Sequence, residues 1–131
     1  MNQLLTQEQP RTHRPVSEIA GSLRDLLRDY GDVAYVVGVK QARTVKNWAE
    51  ERSIPADPLM RTRLEVAEVL AATVHDAARP WVSAAWLISC NPRLEESSTA
   101  ELIQSLAGRP EDMEAIEEMS YAAQQFAATA N

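Results

Sequence analysis

The chain has 131 residues, a net charge of −6 and a 45 % hydrophobic content, which is ample for one compact globular domain and too apolar for a disordered chain. A single cysteine, Cys90, excludes an internal disulfide, and no apolar run approaches the ~18 residues of a membrane helix. Four glycines, few aromatics and short β-branched runs point to an all-α protein with an aliphatic core, and the lone cysteine is the usual state of a cytoplasmic protein.

The N-terminal "MNQLLTQEQPRTHRP" has no apolar segment after a basic start, so no secretory signal is expected there. Residues 1–15 read as a disordered tail. "PVSEIAGSLRDLLRDYG" reads as a helix with Ser17 as its cap. Ile19, Leu23, Leu26 and Leu27 form its apolar stripe, and Gly31 is its stop. "DVAYVVG" reads as a two-turn helix capped by Asp32, with Val33, Val36 and Val37 on one side. Its β-branched valines leave a strand as the alternative, but its shortness and its neighbours favour the helix. Gly38 ends it.

"KQARTVKNWAEE" is expected to be the third helix, with Ala42, Val45, Trp48 and Ala49 on one face. After the loop "RSIPADP", Asp57 caps a helix that opens on Pro58. It runs about five turns through "PLMRTRLEVAEVLAATVHDAA" and buries Met60, Leu64, Ala67, Leu70, Ala71 and Val74. Arg79-Pro80 marks a stop. "PWVSAAWLIS" is a short helix whose Trp81 and Trp86 read first as core residues. "CNPRLEESS" is irregular. Ser98 and Glu101 have the spacing of a capping box that opens "TAELIQSLA", and Gly108 ends that helix. The last helix, "RPEDMEAIEEMSYAAQQFAATAN", turns Met113, Ile116, Met119/Ser120 and Ala123 inward. Glu111, Asp112 and Glu114 suit its N-terminal dipole.

Charge is distributed unevenly. Residues 1–39 carry a net −1, residues 40–63 a net +3 and residues 64–131 a net −8. The middle can face a polyanion, and the C-terminal half repels one. Two short helices joined by a glycine-containing turn, the second bearing basic and amide side chains, form the pattern of a DNA-reading helix-turn-helix. Ala34, Val37, Val45 and Trp48 would lock the two helices together. Arg pairs with guanine edges, Asn and Gln pair with adenine edges, and Lys binds phosphate. The candidate DNA-binding residues are therefore Lys40, Gln41, Arg43, Thr44, Lys46, Asn47 and Arg52. One such helix offers too few base contacts for selective binding by a monomer, so paired half-sites and a dimer are expected. Gly38 stands one residue further from Val45 than in the common pattern, a difference that shifts the outward set by about one position. The plainer alternative is a helical hairpin with a solvated basic face.

Enzyme chemistry finds little support. His13 lies in the tail, and His75 beside Asp76 reads as an exposed or half-buried structural residue. Cys90 has no histidine near it and reads as a small buried residue rather than a nucleophile. There is no glycine-rich phosphate loop and no metal-ligand spacing. No catalytic residue, metal or cofactor is expected. Glu95-Glu96 and Glu117-Glu118 read as solvated faces.

The order of parts resembles the Xre/MbcA/ParS-type antitoxins over about residues 30 to 127. Trp86, Leu87, Asn91, Pro92, Leu94, Leu102, Ile103 and Gly108 carry the likeness, with "RTVKNW" in the third helix. Ala100 departs from the proline that the family often has after the cap, and the N-terminal tail is extra. The resemblance implies a helix-turn-helix region at residues 16–56 and a toxin-binding region at 57–131. It implies binding to a RES-domain toxin that degrades NAD, occlusion of the toxin's active site by the C-terminal end, repression of its own promoter, and a homodimer or a hetero-oligomer with toxin. The toxin-contacting set it suggests is Trp86, Asn91, Pro92, Tyr121, Gln124, Gln125 and Phe126. The rival readings are a stand-alone transcriptional regulator and a helical module that touches neither DNA nor toxin.

Overall fold

The structure, a computed structural model, describes residues 14–130. The tail read at residues 1–15 falls outside the described residues except for Arg14 and Pro15, and His13 lies outside them too. Among the described residues the chain is all-helical. Seven α-helices follow one another: α1 (Val16–Leu27), α2 (Tyr30–Val37), α3 (Ala42–Ala49), α4 (Pro58–Thr73), α5 (Val82–Ile88), α6 (Thr99–Gln104) and α7 (Glu111–Ala130). A 3₁₀ turn at Pro92–Leu94 lies between α5 and α6, and the ladder contact is a single antiparallel bridge between Cys90 and Ser98. The helical reading of "DVAYVVG" holds, and the strand alternative is set aside.

The helix boundaries follow local chemistry. α1 begins after Pro15, whose extended backbone takes the N-cap place. Ser17 is therefore inside the first turn rather than the cap, and its hydroxyl donates to Glu51 Oε2 at 3.1 Å. α1 also stops earlier than expected, at Arg28 in the left-handed conformation (φ 74°). Asp29 then takes an extended backbone as the N-cap of α2. Gly31 and Asp32 consequently fall inside the first turn of α2 and neither stops nor caps a helix. Asp57 and Pro58 open α4 as expected, with the Asp57 carboxylate accepting the Leu59 N–H at 3.0 Å. α4 ends at Thr73, short of the expected five turns. Asp76 accepts the Ala78 N–H at 2.9 Å and the Arg79 Nε–H at 3.0 Å, and this local turn competes with further helix. The Ser98–Glu101 capping box is complete, with bonds of 3.0 and 2.9 Å. The Asp112 carboxylate accepts the N–H groups of Gly108 at 2.7 Å and Ala107 at 3.1 Å, which ties the loop to the first turn of α7.

One continuous apolar core runs through all of this. Ile19, Leu23 and Leu27 of α1 meet Val33, Val36 and Val37 of α2, and Leu64, Ala67 and Leu70 of α4, with Ile103, Met119 and Ala123 closing the far side. α4 is the central strut: it packs on α1, α2, α5, α6 and α7. The apolar set expected on α4 is buried throughout. Met113 is the exception on α7, 62 % exposed. The inner stripe of α7 is Ile116, Met119, Ala122, Ala123 and Phe126, and Met113 stands before the stripe begins. Ser83, buried in α5, donates its hydroxyl to the Ala71 carbonyl at 3.0 Å and fixes α5 on α4.

Two polar links fasten the chain just before α1. Arg14 makes a bidentate pair with Glu68 of α4 at 2.8 and 2.9 Å, and the Arg14 carbonyl accepts from Arg61. Burial alone would push the Glu68 carboxyl up, but hydrogen bonds from Arg14 and Ser22 outweigh it and hold the group below the usual glutamate range.

Candidate nucleic-acid interface and C-terminal clefts

The sequence folds α2 and α3 against each other by burying Val37 and Ala34 on one helix and Val45 and Trp48 on the other. Trp48 is only 5 % exposed. Since one face of α3 is committed to the core, the remaining side chains must point outward. Lys40, Gln41, Arg43, Lys46 and Arg52 are exposed, and Thr44 and Asn47 are half-buried. Lys40, Arg43 and Lys46 form no ion pair among the described residues. Their charge is therefore available to an outside anion. Arg52 differs, since its Nε lies 3.3 Å from Glu50 Oε1. Arg52 sits past the end of α3, with its N–H on the Asn47 carbonyl at 2.8 Å. The basic face thus narrows to Lys40, Arg43 and Lys46, with Gln41 among them.

The turn that sets the angle between α2 and α3 is held from outside. Gly38 is left-handed at φ +89°. The Gln104 amide of α6 donates to the Tyr35 carbonyl at the end of α2. Arg63 of α4 donates to the Leu106 carbonyl at 3.0 Å, and its guanidinium also approaches Gly38. Sequence reasoning missed Gln104 and Arg63. Neither carries a local signal, because both act across more than 40 residues of chain.

In the C-terminal half, Trp86, Asn91, Pro92 and Phe126 come together around one cleft of about 400 Å³. The Trp86 and Phe126 rings lie 6.1 Å apart at 45°, within the range of a favourable tilted aromatic pair. Trp81 and Cys90 also line this cleft. Trp81 is 62 % exposed rather than a core residue, because it stands just before the first turn of α5 while Val82, Ser83 and Leu87 take the buried positions. Cys90 is exposed, not buried: the bridge to Ser98 holds its backbone at the rim. Trp86 is half-buried, so the core-packing reading holds for it in part. Asn91 has a local task, its side chain accepting the Arg93 N–H at 3.0 Å to start the 3₁₀ turn.

Tyr121 is not part of that cleft. It lies 59 % exposed on a second groove, of about 580 Å³, with Glu114, Glu117 and Glu118 of the same helix. Gln124 is exposed and Gln125 half-buried, and neither lines either cavity. Among the described residues no group of three or more His, Cys, Asp or Glu is arranged to hold a metal ion, and no helix is long and apolar enough to cross a membrane. His75 is exposed just beyond the end of α4. Compared with known protein families, curated proteins and solved structures, the chain matches none.

Proposed function

We propose that this protein is the antitoxin of a type II toxin–antitoxin system. α2 and α3 act as the helix-turn-helix that binds operator DNA. The region from α4 onward binds the cognate toxin, an NAD-degrading enzyme of the RES type, and the C-terminal end of α7 covers its active site. The chain itself carries out no catalysis. The observation that carries the reading is the division of surfaces. α3 and the turn before it offer Arg43, Lys46 and Lys40, which make no ion pair among the described residues and stand opposite the buried Val45 and Trp48, while the acid-rich C-terminal half offers an aromatic cleft around Trp86 and Phe126. A polyanion suits the first surface and is repelled by the second. The sequence resemblance to Xre/MbcA/ParS-type antitoxins supplies the toxin class.

A stand-alone regulator uses the same α3 face but gives the aromatic cleft no task. The two part company in a neutralisation assay, with toxin and antitoxin co-expressed and cellular NAD measured. Trp81→Ala and Phe126→Ala, which remove the exposed and half-buried walls of the cleft, are expected to weaken protection and to leave operator binding intact. Full protection by both variants refutes the placement of the toxin site.

A further inference from the structure

α7 has two unlike sides. Its inner stripe belongs to the core. On the other side, Glu114, Glu117, Glu118 and Tyr121 stand at i, i+3, i+4 and i+7, so they share one face. This face forms one wall of the groove of about 580 Å³, and the 3₁₀ turn with the loop after it forms the other, with Arg93 and Glu95. Four carboxylates thus face one guanidinium. Among the described residues none of the four carboxylates takes part in an ion pair or a hydrogen bond. Like charges at i, i+3 and i+4 oppose the helix that holds them, so an incoming cation relieves a repulsion as well as making a bond. The floor is apolar, with Leu94 buried and Leu102 half-buried. The exposed Tyr121 ring adds a face for a guanidinium or ammonium group. The lining shares no residue with the Trp86–Phe126 cleft.

We propose that this groove docks a cationic amphipathic segment of the protein partner, its Lys or Arg heads on Glu114, Glu117 and Glu118 and its apolar stems on Leu94, Leu102 and Tyr121. Nucleic acid is repelled here, and an uncharged peptide leaves the carboxylates unmatched. Long basic side chains fit both halves of the groove, since they lay an apolar stem on the floor and keep the charge at the rim. The claim rests on the reading of the C-terminal region as a protein-binding surface, and it adds a second anchor separate from the aromatic cleft.

The test uses the full chain and a fluorescein-labelled amphipathic helix of leucine and lysine, read by anisotropy, with the same peptide carrying glutamate for lysine as the contrast. The lysine peptide is expected to bind, more weakly as salt rises, and the glutamate peptide not to bind. Glu117→Lys with Glu118→Lys is expected to weaken binding at least about tenfold, and Tyr121→Ala several-fold, because like charges set face to face are strongly disfavoured. Glu18→Lys with Asp25→Lys makes the same change in net charge on exposed positions of α1, which lines no part of the groove, and is expected to change binding less than about twofold. Equal weakening by the two charge-reversed pairs, or none by the first, overturns the proposal. Co-expression with toxin separates this claim from the one beneath it. A full chain that never neutralises defeats the antitoxin reading. A full chain that neutralises, matched by an equally protective Glu117→Lys/Glu118→Lys variant, overturns the groove alone.

Discussion

Gly38→Ala is the most informative single change, because it strikes the turn between α2 and α3 through two separable effects. The backbone there is left-handed at φ +89°, a conformation that costs an alanine about 1–2 kcal/mol. A Cβ added at this position would also stand 3.2 Å from Gln104 Cγ. The Gln104 side chain is flexible enough to yield, but it then loses its hydrogen bond to the Tyr35 carbonyl, worth about 0.5–1.5 kcal/mol. The lower entropy of the unfolded alanine chain returns about 0.4–1 kcal/mol. The net cost is about 0.5–3 kcal/mol, a sizeable part of the ~5–15 kcal/mol that holds a domain together. Gly108→Ala is the internal control. Its φ is +79° with nothing within 4 Å, so only the backbone part applies. Equilibrium urea unfolding of the full chain measures both. Gly38→Ala is expected to cost more than Gly108→Ala, and the excess should vanish in a Gln104→Ala background. Equal costs in the two variants would refute the role given to Gln104. No cost in either would refute the left-handed geometry.

Other changes test other parts of the account. Arg43 and Lys46 are exposed and make no ion pair among the described residues, so Arg43→Ala and Lys46→Ala should move stability by less than about 0.5 kcal/mol, while each lost phosphate contact lowers the salt slope of operator binding by about 0.9; unchanged DNA titrations in both would remove α3 from the interface. Gly21→Ala, inside α1 with open space around it, should stabilise the fold by about 0.5–1 kcal/mol in the same unfolding assay. Glu68 is held below the usual glutamate range by Arg14 and Ser22 against its burial. A depressed carboxyl contributes stability above its unfolded pKa and loses it as the pH falls through the folded one. Wild type should therefore weaken below the ordinary glutamate range, and Glu68→Gln should flatten that limb of the pH–stability curve.

What was legible in the sequence was what depends on near neighbours. The Asp57-Pro58 start of α4, the Ser98–Glu101 box and the 3- and 4-residue spacing of Val45 and Trp48 are complete signals within one or two turns of chain. Boundaries set by tertiary demand were less visible. Arg28 takes a left-handed turn without being glycine, which moves the start of α2 forward and strands Gly31 and Asp32 inside it. Asp32 then bears the consequence: burial and the nearby Asp29 push its carboxyl above the usual range. Trp81 and Cys90 were read by residue type and Met113 by helical spacing, but each lies at the edge of an element where the core has already ended. Of the seven side chains read as a DNA-facing set, Lys40, Gln41, Arg43, Lys46 and Arg52 are exposed and Thr44 and Asn47 are half-buried, and Arg52 is paired with Glu50. Of the C-terminal set, Trp86, Asn91, Pro92 and Phe126 converge. Tyr121 belongs to a different groove, a fact that depends on how α7 is rotated against the loop after the 3₁₀ turn.

The proposed antitoxin function is tested most directly by native mass spectrometry of the tagged full chain purified from its host, followed by an NAD-consumption assay on whatever accompanies it. The expected result is a stoichiometric complex with a small NAD-degrading enzyme that is silent in the complex and active once the chain is stripped away. A chain recovered alone, or a partner equally active in complex and free, would contradict it.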